Sequence, residues 1–259
     1  MLPCMTPIRL FAIAFILGVS TVAWFLLGGS VTARSGEFDS RLATEVAQLW
    51  GGPHRQVAPA MLVVRPRQVT ETVQEQTASG RPVTSEVTRT VTDLDPVPLT
   101  SSAVDVDLRL EHRQKGLLWY DTYTVGFKAR YVARNPDDVP RTIRARLAFP
   151  SKDALYDRFS VRLNGVDAPA LTDLSKGVEV TTMVPAGGTT ELEISYVSRG
   201  LDEWRYALGE SGVSQVQDLT LNLTTDFAEV DFPGGTMSPT VSTRTDGGWK
   251  LEWRFAGLV

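Results

Sequence analysis

From Leu10 to Ala33 the chain carries no charged side chain, and Arg9 and Arg34 bracket the run. It reads Leu10-Phe11-Ala12-Ile13-Ala14-Phe15-Ile16-Leu17 and continues through Val22-Ala23-Trp24-Phe25-Leu26-Leu27 to Val31. A helix over this stretch is about 36 Å long, enough to cross the hydrocarbon of a bilayer. Everything after it is polar, rich in threonine and valine, and alternating. The pattern predicts one membrane helix carrying a large, mainly β domain.

A cleaved signal peptide is the rival reading. Val31-Thr32-Ala33 has the small-residue spacing of a cleavage site, and Arg9 supplies a basic start. The apolar run, however, is about twice the length of a signal core, and Trp24 suits an interfacial anchor. Length therefore favours a retained anchor. Cys4 precedes the run, so it is no lipobox cysteine. Arg9 marks the short end as cytoplasmic, although Arg34 and Arg41 nearly balance it on the other side. With no cysteine after Cys4 and a Thr-rich β composition, the large domain suits an oxidising, extracytoplasmic compartment.

Composition excludes some functions. The net charge is −4, with acids and bases interspersed, and no Lys/Arg run or basic–aromatic stripe offers a nucleic-acid footprint. Nucleic acid is thus not an expected partner; the lipid bilayer is, with other envelope membrane proteins as further candidates. Hydrophobic residues at 42% and six tryptophans argue for a folded domain.

From Glu37 to Trp50 the apolar residues Phe38, Leu42, Val46 and Leu49 recur at helical spacing, and Gly51-Gly52-Pro53 stops them. This predicts a stalk helix, continuous with the anchor or packed on the domain. Ala60 to Val64 reads as a buried strand ended by Pro66. Val69 to Asp93 reads as an exposed hairpin broken at Ala78-Ser79-Gly80-Arg81-Pro82, and Asp95-Pro96-Val97-Pro98 marks the next boundary. Val104 to Leu110 alternates cleanly. In the next strand Trp119, Tyr123, Val125, Phe127, Ala129 and Tyr131 form one apolar face. Asn135-Pro136-Asp137-Asp138 turns the chain, and Ile143, Ala145, Leu147 and Phe149 alternate again. Asn164-Gly165 is a hairpin signal, and Ala186-Gly187-Gly188 and Asp246-Gly247-Gly248 read in the same manner. Regular strands with turns between them predict an antiparallel β-sandwich, either one elongated or two packed. The expected organisation is a tail at 1–9, a membrane helix at 10–33, a stalk at 34–53 and an extracytoplasmic domain at 54–259, with a candidate sub-boundary near 200.

Two stretches carry a family resemblance. Glu45-Val46-Ala47-Gln48-Leu49-Trp50-Gly51-Gly52-Pro53-His54-Arg55-Gln56-Val57-Ala58-Pro59, running into Leu62-Val63-Val64, resembles the segment after the first membrane helix of CreD-type bacterial inner-membrane proteins. Arg113-Gln114-Lys115-Gly116-Leu117-Leu118-Trp119-Tyr120-Asp121-Thr122-Tyr123 resembles that family's basic-Gly-apolar-aromatic approach to a strand. Ala58 stands where the family has glycine, and Arg65 intervenes before Pro66. The motif-like residues are Trp50, Gly51, Gly52, Pro53, Pro59, Gly116 and Tyr123. The resemblance implies an N-terminal anchor, a periplasmic β domain, further membrane helices toward the C-terminus and a role in envelope integrity. It implies no catalytic residue.

Chemistry is sparse. The two histidines, His54 and His112, read as surface residues in or near turns, and no catalytic or metal-binding motif accompanies them. Asp226, Glu229 and Asp231, or Asp202 and Glu203, could supply the two carboxylates of a glycosidase, yet acids usually occupy solvent faces. Trp249, Trp253 and Phe255 share a strand face with Leu251, which is a core pattern. Trp204 and Tyr206 are candidate interaction residues for the membrane surface or a partner. No catalytic residue, cofactor or metal is expected. The leading expectation is a structural or interaction role in the cell envelope. The alternative is a ligand-binding or sensory module for sugar or peptidoglycan fragments, and a carboxylate hydrolase comes third.

Overall fold

The computed structural model describes residues 7–76, 82–116, 118–151, 154–168, 177–209 and 216–258. Most of the expected tail (1–6), the break at 78–81 and Leu117 lie outside the described residues.

One helix, α1, runs unbroken from Pro7 to Trp50. Pro7 opens it in the first turn, where a missing N–H removes no bond, and no proline follows before Pro53. Span and stalk are therefore one backbone element. It stops because Gly51 takes φ +96° and returns its N–H to the Ala47 carbonyl at 2.9 Å, a left-handed C-cap. The apolar window has a mean hydropathy of 2.4 and none of it is covered by the rest of the chain. Among the described residues, this is the one helix long and apolar enough to cross a membrane. Phe11, Trp24, Phe25 and Leu26 are 70–78% exposed, an apolar surface of a kind that lipid or a partner covers.

The strands follow in order. First come β1 (His54–Val57), β2 (Ala60–Gln76), β3 (Pro82–Val97), β4 (Leu99–Lys115) and β5 (Leu118–Arg134). Next are β6 (Arg141–Leu147), β7 (Tyr156–Leu163), β8 (Val166–Asp167), β9 (Val178–Val184) and β10 (Thr189–Leu201). Then come β11 (Trp204–Ala207), β12 (Val216–Thr225), β13 (Val241–Arg244) and β14 (Trp249–Leu258). Eight strands form one sheet in the order β13-β14-β12-β4-β5-β10-β7-β8, four form a second in the order β3-β2-β6-β9, and β1-β11 pair separately. The pairing is antiparallel except for β12–β4 and β1–β11, which are parallel.

The core lies between the two larger sheets. Met61, Val63, Ile143 and Ala145 enter it from the smaller one, and Val104, Phe127, Tyr131, Ile194 and Leu221 from the larger. Alternation on β4 buries Val104, Val106 and Leu108 and leaves Asp105 exposed. Leu251 is buried, and Trp249, Trp253 and Phe255 are half-buried against the same core.

Three expectations need correction. Pro66 does not end β2, which continues to Gln76; β6 pairs with β2 only as far as Val64, so at Pro66 one edge of β2 is already open, the setting in which a strand tolerates proline. The turn at Ala186-Gly187-Gly188 is no hairpin, because β9 pairs with β6 while β10 pairs with β5 and β7, so the chain changes sheet there. Trp119 keeps the parity of the apolar face of β5 but lies beyond the core and is 65% exposed, while Tyr120, on the opposite face, is buried under the end of α1. The Asn164-Gly165 hairpin forms as expected, with φ of +52° and +79°.

Candidate functional site at the helix–domain junction

The last turns of α1 dock on the outer side of β5 and β10. Val46, Tyr120 and Leu201 are buried together there, with Leu42, Ala47, Trp50 and Leu118 around them. The Arg113 guanidinium lies 4.2 Å from the centre of the Trp50 ring, and that of Arg199 lies 5.8 Å from it. Lys115 pairs with Glu45 at 2.8 Å and holds its carboxyl below the usual carboxylate range. The contacts descend in order: Arg113 meets Trp50, Lys115 meets Glu45, and Gly116 approaches Leu42. The β4–β5 hairpin thus runs down the helix toward its apolar end. Gly51 packs so tightly that a Cβ there would lie 2.2 Å from the Arg199 carbonyl oxygen.

Immediately after the junction, β1 turns His54 inward. Sequence reasoning places this residue on the surface, and the structure corrects that: His54 is 1% exposed. Its Nδ1 lies 3.1 Å from the Tyr123 hydroxyl and its Nε2 lies 3.0 Å from Ser198 Oγ. Tyr123 donates its hydroxyl proton to the Glu203 carbonyl and Ser198 donates its own to the Leu155 carbonyl at 2.9 Å, so each hydroxyl oxygen is left to accept from the imidazole, and the neutral ring donates to one of the two. Burial pushes the His54 pKa from 6.5 down to about 4, against a weaker upward pull from the Gly52 backbone. The ring is neutral at neutral pH. Burial likewise raises Tyr123, and pushes Tyr156 up to about 12.

This nest exists because Gly200 faces it. A Cβ on Gly200 would stand 2.4 Å from His54 Nδ1 and 2.4 Å from the Tyr123 hydroxyl. Further along β1, Gln56 is fully buried; it accepts from Tyr196 at 2.7 Å and donates to the Val57 carbonyl at 2.8 Å. The neighbouring strand β11 brings Tyr206 within 3.3 Å of the Tyr131 hydroxyl and 3.4 Å of Ser102. Trp204 stacks on Tyr206, both half-buried against the core, and its indole nitrogen is buried without a hydrogen-bond partner. These two candidate interaction residues line the inside of the fold.

A serine beside an imidazole is the first half of a nucleophilic dyad. Ser198 and His54 are 2% and 1% exposed, however, and the ring is oriented by a phenol instead of a carboxylate. The arrangement fits a buried latch that ties β1, β5, β7 and β10 together at the foot of the helix.

No family model and no curated protein matches this chain. Among solved structures it is similar to that of a candidate nutrient binding protein of Legionella pneumophila, at 13% identity and a TM-score of 0.44. The likeness covers 62% of this chain and 63% of the other, less than two thirds of its length. A likeness so slight carries no argument about fold or function.

The motif-like residues divide. Trp50, Gly51 and Gly52 form the end of the helix and its exit, Gly116 turns the hairpin at φ +63°, and Tyr123 holds His54. Pro53 is exposed between helix and β1, and Pro59 is buried between β1 and β2. The two stretches, far apart in sequence, therefore meet at one place. Of the acids, Asp226 caps the Leu110 N–H at 2.9 Å, while Glu229 and Asp231 are exposed beyond it. Glu203 offers its carbonyl to the latch and its carboxylate to Arg205, and Asp202 sits at φ +61°. His112 is exposed, as expected, and lies 2.8 Å from Asp121. Among the described residues no group of three His, Cys, Asp or Glu side chains converges on a point. Sequence reasoning missed Gln56, Ser198 and Gly200; a glycine inside the β10 strand pattern was the one signal of a close approach.

A second feature lies apart from the junction. The outer face of the eight-stranded sheet holds a cleft of about 750 Å³, floored by Gly126 and walled by Asp105, Asp107, Lys128, Arg158 and Asn222.

Proposed function

We propose that the protein is a bilayer-anchored, extracytoplasmic β-sandwich of the bacterial inner membrane, with a structural or partner-binding role in the cell envelope akin to the CreD-type proteins it resembles. One observation carries this reading. The two motif stretches converge on the end of α1 and lock it to the sandwich through Trp50, Gly51, Gly116 and Tyr123. A helix with an uncovered apolar length of this kind, gripped at its far end, holds the domain at a set height and angle over a membrane.

The test uses the exposed Asp138 turn in a Cys4→Ser background, where Asp138→Cys is the sole thiol. An impermeant maleimide should label it on intact cells, and the chain should stay with carbonate-washed membranes. Labelling only after lysis, or recovery of a soluble polypeptide that starts at Arg34, would overturn the reading.

A second reading, a ligand-binding module, is favoured by the cleft on the outer sheet face. The aromatic platform expected for sugar is not its basis, since Trp204, Tyr206, Trp249 and Trp253 all pack against the core.

A further inference from the structure

The charges around the outer cleft are unevenly matched. Across the sheet, Asn222, Asp105, Lys128 and Ser195 stand in one row, and Thr224, Asp107, Gly126 and Val197 in the next. The acids are already engaged: Asn222 donates to Asp105 at 2.8 Å, and Arg109 pairs with Asp107 at 2.9 Å. In the adjoining row Arg130 and Arg162 share Glu193 at 3.2 and 3.4 Å. Lys128 and Arg158 differ from these cations. Among the described residues neither has a hydrogen-bond or ion-pair partner, and both line the cleft.

Two backbone features support a purpose for this. Arg158 sits at φ +50°, in a bulge where β7 slips against β10 between Ser195 and Val197. A left-handed non-glycine residue costs about 1 kcal/mol or more, and bulges re-aim side chains, often beside functional sites. Gly126 lies in the middle of a long strand, where glycine weakens the sheet. Packing does not demand it, because a Cβ there would meet the Asp107 Cβ at an ordinary 3.7 Å. What the missing side chain leaves is an open floor between hydroxyls of Thr124, Ser195 and Thr224.

We infer that this cleft binds a small hydroxylated organic anion, its carboxylate or phosphate between Lys128 and Arg158 and its body over Gly126. The inference rests on the ligand-binding reading and names its ligand class. To test it, the full chain in nanodiscs is titrated with D-glucuronate, D-glucose 6-phosphate and, as the neutral control, D-glucose, with binding read by calorimetry. Saturable binding of either anion at least ten-fold tighter than glucose is expected, and which anion binds separates carboxylate from phosphate recognition. Lys128→Met and Arg158→Met should each weaken it about ten-fold, and Gly126→Val should abolish it, with circular dichroism unchanged. Glucose binding as tightly as the anions, lost in Gly126→Val but untouched by the charge variants, would overturn the anion inference and leave the ligand-binding reading standing. No saturable binding by any of the three would sink both.

Discussion

Gly51→Ala puts a methyl group where the Arg199 carbonyl oxygen already sits. The two atoms would be 2.2 Å apart, roughly 1 Å inside contact, and alanine at φ +96° adds about 1–2 kcal/mol of backbone strain. The chain has one cheap escape, which is to release the last turns of α1 from the sandwich. Release forfeits the burial of Val46, on the order of 1.5–3 kcal/mol, and the Arg113–Trp50 stack, about 0.5–1 kcal/mol. Docking is thus worth about 2–4 kcal/mol on these terms, and the measurable effect is capped at that value because strain beyond it is relieved by opening. An opening equilibrium moved by that much speeds amide exchange by roughly two orders of magnitude. Hydrogen-exchange mass spectrometry on the detergent-solubilised chain should show it in peptides over 42–50 and 113–120, with the sandwich interior little changed. Unaltered protection in both peptides would refute the reasoning, since the clash would then have been absorbed without loosening the junction.

Other consequences follow from the buried latch. Between about 4 and 6.5 the unfolded chain binds a proton at His54 that the folded chain does not. Stability should therefore fall as pH drops through that window, by about 3 kcal/mol from this residue. Thermal midpoints from pH 7 to pH 4.5 check this: His54→Gln should flatten the slope, and an unchanged slope would contradict the assignment. Gly200→Ala forces a methyl into two pinned rings and should cost about 2–4 kcal/mol by urea denaturation, whereas Gly126→Ala, with ordinary contact only, should cost under about 1 kcal/mol. Ser198→Ala leaves both His54 Nε2 and the Leu155 carbonyl without their hydroxyl partner and should destabilise by about 1–3 kcal/mol in the same assay.

The fold was legible where a pattern is local. Leu10–Ala33 needed only its length, and the alternation in Val104–Leu110 placed each side chain on the correct face. The Asn164-Gly165 turn needed only the left-handed tolerance of its two residues. The misreadings all depend on remote partners. Tyr120 is buried because a helix that ends some seventy residues earlier covers its side of β5, whereas Trp119, on the other side, runs past the core. Pro66 is tolerated because β6, far downstream, stops pairing at Val64. His54 looked like a turn histidine because Ser198, the residue that shelters its Nε2, is 144 positions away. The cleft was invisible for the same reason: Lys128 and Arg158 lie on strands separated by β10, and which cations on that face have partners depends on cross-strand register.

α1 is one rod, bound at its end to the sandwich. Spin labels at Ser40→Cys, on the exposed side of the stalk, and at Asp138→Cys, in a Cys4→Ser background, report it by dipolar spectroscopy in nanodiscs. A docked helix gives a single narrow distance distribution, broadened when Gly51→Ala is added. A broad distribution in the unmodified junction, indifferent to that substitution, would contradict it.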